Sequence, residues 1–292
     1  MYELVQVAPR TYYMQSPAKI GVVELGAGEV CFIDSGSDKD AGRKARQILD
    51  ARAWHLRAIY NTHSNADHIG GNSYLASQTG CKIYAHGIER DFTRHTILEP
   101  SFLYGGFPPE ELKRKFLLAQ ESDAEELIED ILPKGLSMIP LPGHFFDMVG
   151  FRTPDDIVFL ADCLSSEATL EKYKITFIYD VASYLDTLEK VKAMQAKLFI
   201  PSHADASENI APLAELNIKK VNEVAQKIAS LCAEPICFER LLQRLFSDFD
   251  LTMTFEQHAL VGSTVRSYLS YLKKIGEVDA TFEDNTLLWR KI

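Results

Sequence analysis

The chain of 292 residues contains no apolar run long enough to span a bilayer, which takes about 20 consecutive apolar residues, so no membrane segment is expected. Basic residues are in short supply: 31 Lys and Arg stand against 41 Asp and Glu, a formal net charge of -10. Nucleic-acid binding relies on cations that neutralise phosphates, so broad attraction to DNA or RNA is disfavoured. Cysteines number five (Cys31, Cys81, Cys163, Cys232 and Cys237), an odd set without a paired spacing framework, which argues against disulfides. The opening Met1-Tyr2-Glu3-Leu4 lacks the basic and apolar regions of a signal peptide, and the cytoplasm is the expected compartment.

What is present is enough for a sizeable core. Apolar residues make up 46% of the chain, sufficient for one large domain and a small second one. The chemistry is concentrated in Asn61-Thr62-His63-Ser64-Asn65-Ala66-Asp67-His68-Ile69-Gly70-Gly71, directly after the strand-like run Leu56 to Tyr60. Two His, an Asp and an Asn within six residues are costly to gather in a cleft unless they are solvated or bind a metal. Three later segments repeat the form of an apolar run ending in a metal-competent side chain: Leu141-Pro142-Gly143-His144, Phe159-Leu160-Ala161-Asp162 and Phe199-Ile200-Pro201-Ser202-His203. Any one of these residues alone reads as a strand-end histidine or a turn-capping aspartate. All of them at strand exits point to a shared site.

In order, spacing and context this set resembles the metallo-β-lactamase superfamily, over roughly the first two thirds of the chain. The resemblance implies an α/β fold, an αβ/βα sandwich of two mixed sheets flanked by helices, with the ligand loops at one edge. It implies one metal held by His63, residue 65 and His144, a second held by Asp67, His68 and His203, and Asp162 bridging them. Asn65 departs from the family, which carries His there. A neutral amide oxygen is a weaker donor to zinc than imidazole, so the first site is expected to be weakened. Asn65 can act as an oxygen ligand or as an amide donor to substrate or water, and the sequence leaves both open. One or two Zn²⁺ per chain are expected, with Fe and Mn as alternatives.

The implied activity is hydrolysis by a metal-activated water, with Asp67 and Asp162 as catalytic residues. Asp162 stands where β-lactam-hydrolysing relatives carry Cys, which points to a small ester, thioester or lactone substrate. Cys163 is expected to face away from the metals, since a strand alternates its faces. The alternatives are a phosphodiesterase or ribonuclease of the same fold, which would need a basic strip that only Lys113, Arg114 and Lys115 begin to supply, or a non-enzymatic metal- or ligand-sensing regulator. A flavin-linked diiron protein is ranked low.

The sequence divides into residues 1–216, the catalytic domain, and 217–292. Expected strands are Ala18–Leu25, Glu29–Ile33, Leu56–Tyr60, Lys82–Ala85, Leu136–Leu141, Val149–Thr153, Ile157–Ala161 and Leu198–Pro201, with helices at Asp38–Arg52, Asn72–Gln78 and Tyr184–Gln195. An insertion at 87–133 has the length of a lid or binding loop. Its Phe102, Tyr104 and Phe107, together with Tyr179, either wall the substrate pocket or fasten the insertion to the core; His95 is expected at the surface. Within it, Glu121 to Ile131 reads as an exposed amphipathic helix.

The C-terminal part, with helices at Ile218–Cys232, Phe238–Phe246 and Gly262–Ile275 and strand-like runs at Ile275–Val278 and Asn285–Trp289, resembles the winged-helix appendage of one branch of the superfamily. A DNA-reading role for Ser263–Lys274 has little charge behind it, since Arg266, Lys273 and Lys274 face a wing carrying Asp279, Glu283 and Asp284. Packing, or a homodimer contact, is the expected role.

Overall fold

The structure, a computed structural model, describes residues 2–292. The first half builds a seven-stranded sheet whose strands lie in sequence order. Four antiparallel strands open it: β1 (Glu3–Ala8), β2 (Thr11–Gln15), β3 (Ile20–Gly26) and β4 (Glu29–Ile33). Helix α1 (Lys39–Arg52) then crosses to β5 (His55–Tyr60), parallel to β4. Asp38 caps α1 by accepting the amides of Asp40 and Ala41, which satisfies two otherwise unpaired N–H groups. Its Ala41, Ala45 and Leu49 are buried at a four-residue spacing, the signature of one face laid on a core.

After β5 come the short helix α2 (Ala66–Ile69), α3 (Asn72–Thr79) and the parallel strand β6 (Lys82–Ala85). The insertion contains α4 (Ile88–Arg94) and α5 (Leu98–Tyr104) and ends in β7 (Ala124–Glu126), parallel to β6. The helix expected over Glu121–Ile131 is therefore not formed: the segment is an edge strand followed by a 3-10 turn at Glu129–Ile131. Burial of Ala124 and Leu127, three residues apart across the end of the strand, overrides the helical propensity of the glutamates. Glu125 instead pairs with Lys82 on the adjacent strand.

The second sheet, in the order β11-β10-β9-β8, contains β8 (Ser137–Pro140), β9 (Val149–Arg152), β10 (Ile157–Ser165) and β11 (Leu198–His203). Helices α6 (Glu167–Tyr173) and α7 (Val181–Ala193) make the crossover between the parallel pair β10 and β11. The two sheets stack face to face. Val23, Cys31 and Ile33 of the first meet Phe151, Phe159 and Ile200 of the second, while their neighbours Val22, Val30 and Phe32 point the other way, against Ala45, Leu49 and Leu75 of α1 and α3. This alternation follows from the two-residue period of a strand. Each of these large side chains, taken fully out of water, contributes roughly 1.5–3 kcal/mol.

The C-terminal part holds α8 (Ala211–Leu231), β12 (Ile236–Cys237), α9 (Phe238–Asp248), α10 (Phe255–Lys274), β13 (Val278–Glu283) and β14 (Thr286–Lys291). Helix α8 begins earlier than expected and runs unbroken through residue 216. Leu241, Leu245, Val265 and Leu269 of α9 and α10 share one apolar core with Val158 of β10 and Leu188 of α7. The expected strand at Ile275–Val278 is corrected: Ile275 closes α10 and the strand starts at Val278. The hairpin turn is Asp284-Asn285, both with positive φ (47° and 61°), the conformation that suits a two-residue hairpin loop.

Candidate metal centre

Four elements deliver side chains to one point. The segment after β5 carries His63, Asn65, Asp67 and His68, the loop between β8 and β9 carries His144, β10 carries Asp162, and the last residue of β11 is His203. Ligand-competent atoms fall into two groups, each lying within 4.8 Å: Asp67, His68, Asp162 and His203, and His63, His144 and Asp162. Asp162 belongs to both. Its Oδ2 lies 3.1 Å from His203 Nε2, its Oδ1 3.1 Å from His68 Nε2, and Asp67 Oδ2 lies 3.2 Å from His203 Nε2. Pairing of β10 with β11 shifts register on both sides of Ala161, which itself adopts φ 51°. Such irregularities re-aim a side chain, here Asp162. Cys163, its neighbour, is fully buried in the apolar core on the far side, and burial pushes its thiol well above the usual range.

Two histidines receive their orientation from one carboxylate. Asp34, at the exit of β4, accepts the backbone N–H and the hydroxyl of Thr62, each at 2.8 Å, and lies 2.8 Å from His68 Nδ1. Because the Thr62 hydroxyl donates to Asp34, its lone pairs are left for the Nδ1–H of His63, 2.9 Å away. In both rings Nδ1 is thus given an acceptor, and Nε2 is the atom turned toward the centre, the orientation that a metal needs. His203 is held in the same sense, its Nδ1 2.9 Å from Pro17 O. Lys19, buried beside it, donates to the carbonyls of Pro201 and Ala204 at the end of β11.

The centre demands positive charge. Burial opposes charge on His68 and His203, yet Asp162 and Asp67 overcome it, raising His68 well above the ordinary imidazole value and His203 to about 10. His63 and His144 are pushed down by burial. His63 Nε2 is buried without a hydrogen-bond partner, and His68 Nε2 and Asp162 Oδ1, though 3.1 Å apart, form no well-aligned bond. Buried polar atoms left unpaired cost on the order of 1–3 kcal/mol each. Three of them converging beside two carboxylates is the arrangement that a cation relieves, so the donor set fits a metal.

Three acidic residues of this neighbourhood were not singled out from the sequence. Besides Asp34, Glu89 accepts the N–H and hydroxyl of Ser64 and the N–H of Asp147, tying the metal loop to the loop of His144. Glu99 accepts Asn65 Nδ2 at 2.8 Å, which turns Asn65 Oδ1 toward His144 Nε2, 3.2 Å away. Glu99, the one charged residue in Leu98–Tyr104, stands out in that helix, whereas Glu89 shares Ile88–Arg94 with Arg90, Asp91 and Arg94 and carries no such signal.

A cavity of about 420 Å³ opens onto the centre, bordered by Asp67, His144, Asp162 and His203. Its other walls come from α6 and the residues after it, and from α10. Of the residues expected to contact substrate, Phe102 packs on Phe145, Phe146 and Tyr179 beside His144. Phe102, Tyr104 and Tyr179 line a neighbouring cleft of about 730 Å³ with α10 rather than the metal-facing cavity. Phe107 is 79% exposed, with the Lys113 ammonium over its ring. His95 is exposed. Tyr173, at the end of α6, does border the cavity.

Comparison with known proteins agrees with this geometry. A hydroxyacylglutathione hydrolase from Cereibacter sphaeroides is 27% identical over 194 residues, 64% of this chain and 62% of that protein; the chain spans under two thirds of that relative's length. The structure superposes on a β-lactamase domain protein from Burkholderia ambifaria with a TM-score of 0.77 at 15% identity, covering 99% of this chain and 94% of that one. A metallo-β-lactamase family protein from Thermus thermophilus gives a TM-score of 0.72 at 16% identity, covering 100% and 98%. These alignments take in the C-terminal helices as well as the sandwich. The sequence profile described as "Metallo-beta-lactamase superfamily" matches residues 16–203, a span that begins near the end of β2 and closes on His203, and the chain belongs to that superfamily.

Proposed function

We propose that this protein is a metal-dependent hydrolase that uses one or two zinc ions against a small ester, thioester or lactone. The observation that carries the reading is the convergence of His63 Nε2, His68 Nε2 and Asp162 Oδ1, buried without well-formed hydrogen bonds, next to a cavity bordered by Asp67, His144, Asp162 and His203. The likeness to hydroxyacylglutathione hydrolases, thioesterases by name, supports the thioester member of that set.

His63, His144 and Asp162 would hold one ion, with Asn65 Oδ1 as a weaker fourth donor, and Asp67, His68, Asp162 and His203 the other. A divalent ion bound here lowers the pKa of water to roughly 7 and polarises the carbonyl under attack. Asp67, whose carboxylate borders the cavity, would orient the attacking water; burial works against its charge, but His68 and His203 beside it hold the carboxyl at about 2. Asp162, deeper and shared by both groups, fixes the separation of the ligands.

The phosphodiesterase reading has no comparable support. Lys113 pairs with Glu110, Arg114 faces Glu256 at 3.8 Å and Lys115 faces Asp38 at 3.0 Å, so the small basic cluster is matched by carboxylates of its own chain. Metal content of protein purified without added metal, measured beside hydrolysis of ester, thioester, lactone and phosphodiester panels, tests the proposal. About one or two zinc per chain with turnover of an acyl substrate, lost in Asp67→Ala, is the expected result. Protein that stays metal-free after zinc addition would sink it.

A further inference from the structure

The walls of the metal-facing cavity divide by chemistry. Its floor holds the four ionisable groups already described. Around them lie Leu164, Ile175, Phe177, Leu260 and Val261, with Phe116 and Tyr173 also bordering the space and only neutral polar groups, such as those of Ser165, Thr169 and Thr176, set among them. Phe116 and Tyr173 are 63% and 42% exposed, large aromatic surfaces left in water beside an apolar space. Among the described residues, neither lysine nor arginine lines this cavity. Lys172 lies over the Tyr173 ring at 4.7 Å, at the margin of the space without lining it, and Lys113, Arg114 and Lys115, the three residues before Phe116, each face a carboxylate.

An anionic group seated against such walls would lose water and find neutral hydroxyl and amide groups but no side-chain cation in its place. A neutral alkyl or aryl group would gain from the same walls. At about 420 Å³ the cavity lies toward the small end of ligand sites, which run from roughly 300 to 1,000 Å³.

A second observation concerns where the wall comes from. Leu260 and Val261 belong to α10, as do Gln257 and Thr264, which also line the cavity. These positions recur every three to four residues, so a single face of a helix from the C-terminal part looks onto the metal centre. The opposite wall is carried by α6 and the segment that follows it.

We infer that this cavity selects substrates whose acyl portion is uncharged and largely apolar, and that α10 is a specificity-determining wall of the site. This rests on the hydrolase reading for the word substrate, while the recognition itself can be measured without turnover. Glutathione, which carries two carboxylates, would find no lysine or arginine for them in this cavity.

The test uses the full chain and two matched pairs. S-hexanoyl- and S-succinyl-N-acetylcysteamine differ in whether the acyl end is neutral or anionic; their amide counterparts, with NH in place of sulfur, bind without being cleaved as thioesters. Calorimetry is expected to show the hexanoyl amide binding at least about tenfold more tightly than the succinyl amide, the equivalent of about 1.4 kcal/mol or more. Leu260→Lys, or the milder Gln257→Lys at a partly exposed polar position, should narrow that ratio by about tenfold through tighter binding of the succinyl compound. Equal binding, preference for the succinyl amide, binding of neither, or a ratio unmoved in both variants would overturn the inference. If the hexanoyl amide binds as expected while no thioester, ester or lactone is turned over by zinc-loaded protein, the recognition stands and the hydrolase reading falls.

Discussion

The amide of Asn65 is held by Glu99: Nδ2 donates to Oε1 at 2.8 Å, and the amide oxygen is thereby turned toward His144 Nε2. Glu99 is buried, and burial raises its carboxyl well above the ordinary value. Its role is to choose which end of the amide faces the centre. Glu99→Gln keeps an acceptor for Asn65 and should retain metal, whereas Glu99→Leu frees the amide and should weaken the first ion by roughly tenfold. Competition against a chromogenic chelator reads the difference; equal affinities in the two variants would remove Glu99 from the account. Asn65→His should bind the first ion more tightly than either.

Asp34 touches no atom of the cavity, yet it sets two imidazoles. Asp34→Asn would offer an amide where Thr62 and His68 both donate, and the competing donors would disturb the tautomer of His68. Metal affinity should fall about 10- to 100-fold, with secondary structure by circular dichroism unchanged. An affinity equal to the parent would show that the rings are held by packing alone.

Glu89 gives a pH dependence with a definite sign. Burial raises its carboxyl to about 7, against the pull of the Ser64 and Asp147 donors. The folded chain therefore holds this proton more tightly than the unfolded chain does. The contribution is fully present below the unfolded value near 4.5 and is lost as pH climbs through about 7. Urea melts at pH 5 and pH 8 should show the parent losing roughly 1–3 kcal/mol relative to Glu89→Gln over that range. A constant difference between the two proteins would contradict the assignment.

Gly143 precedes His144 with φ 119°, and a Cβ there would lie 2.3 Å from the backbone N of Tyr184. Backbone strain and collision act together, so Gly143→Ala should cost about 2–4 kcal/mol in urea unfolding. The same change displaces the His144 loop, which the Tyr179 N–H anchors through Gly143 O and His144 O. A stable variant with full metal content would contradict the expectation.

The C-terminal helices should not bind DNA. On α10, the Arg266 guanidinium lies 3.9 Å from the Phe238 ring centre and Lys273 pairs with Asp279 of β13, which leaves little cationic surface for phosphates. No retardation of random duplex DNA at low salt is expected in an electrophoretic shift assay; a salt-sensitive shift would favour the regulator.

Much of the sandwich could be read from the chain because strand exits and ligands coincide: β5, β6, β9 and β11 fall where apolar runs end in turn formers or in His. Each ligand in the motif was visible for the same reason, as a polar residue costly to place after a buried strand. The hairpin of β1 and β2 was missed, since its Leu4, Val5 and Val7 are only half buried and alternate weakly. Asp34, Glu89 and Glu99 were missed because their partners lie 25 to 58 residues away in sequence, and one sequence carries no trace of such pairing. The cavity walls were misplaced toward Phe102 and Tyr104 because the neighbour that closes the space, α10, comes from the opposite end of the chain.

Gly21 on β3 sits against the ring of Phe159 on β10, where a Cβ would come within 2.7 Å of the ring edge. That point is where the two sheets approach each other, and the ligands are divided between them, His63, Asp67 and His68 on one side and Asp162 and His203 on the other. The gap between the sheets therefore acts as the gauge of the metal centre. Residues that touch none of the ligands fill that seam, so a methyl group added at Gly21 would have to be absorbed by the Phe159 ring and Ile33 or by the spacing of the sheets that carry the ligands.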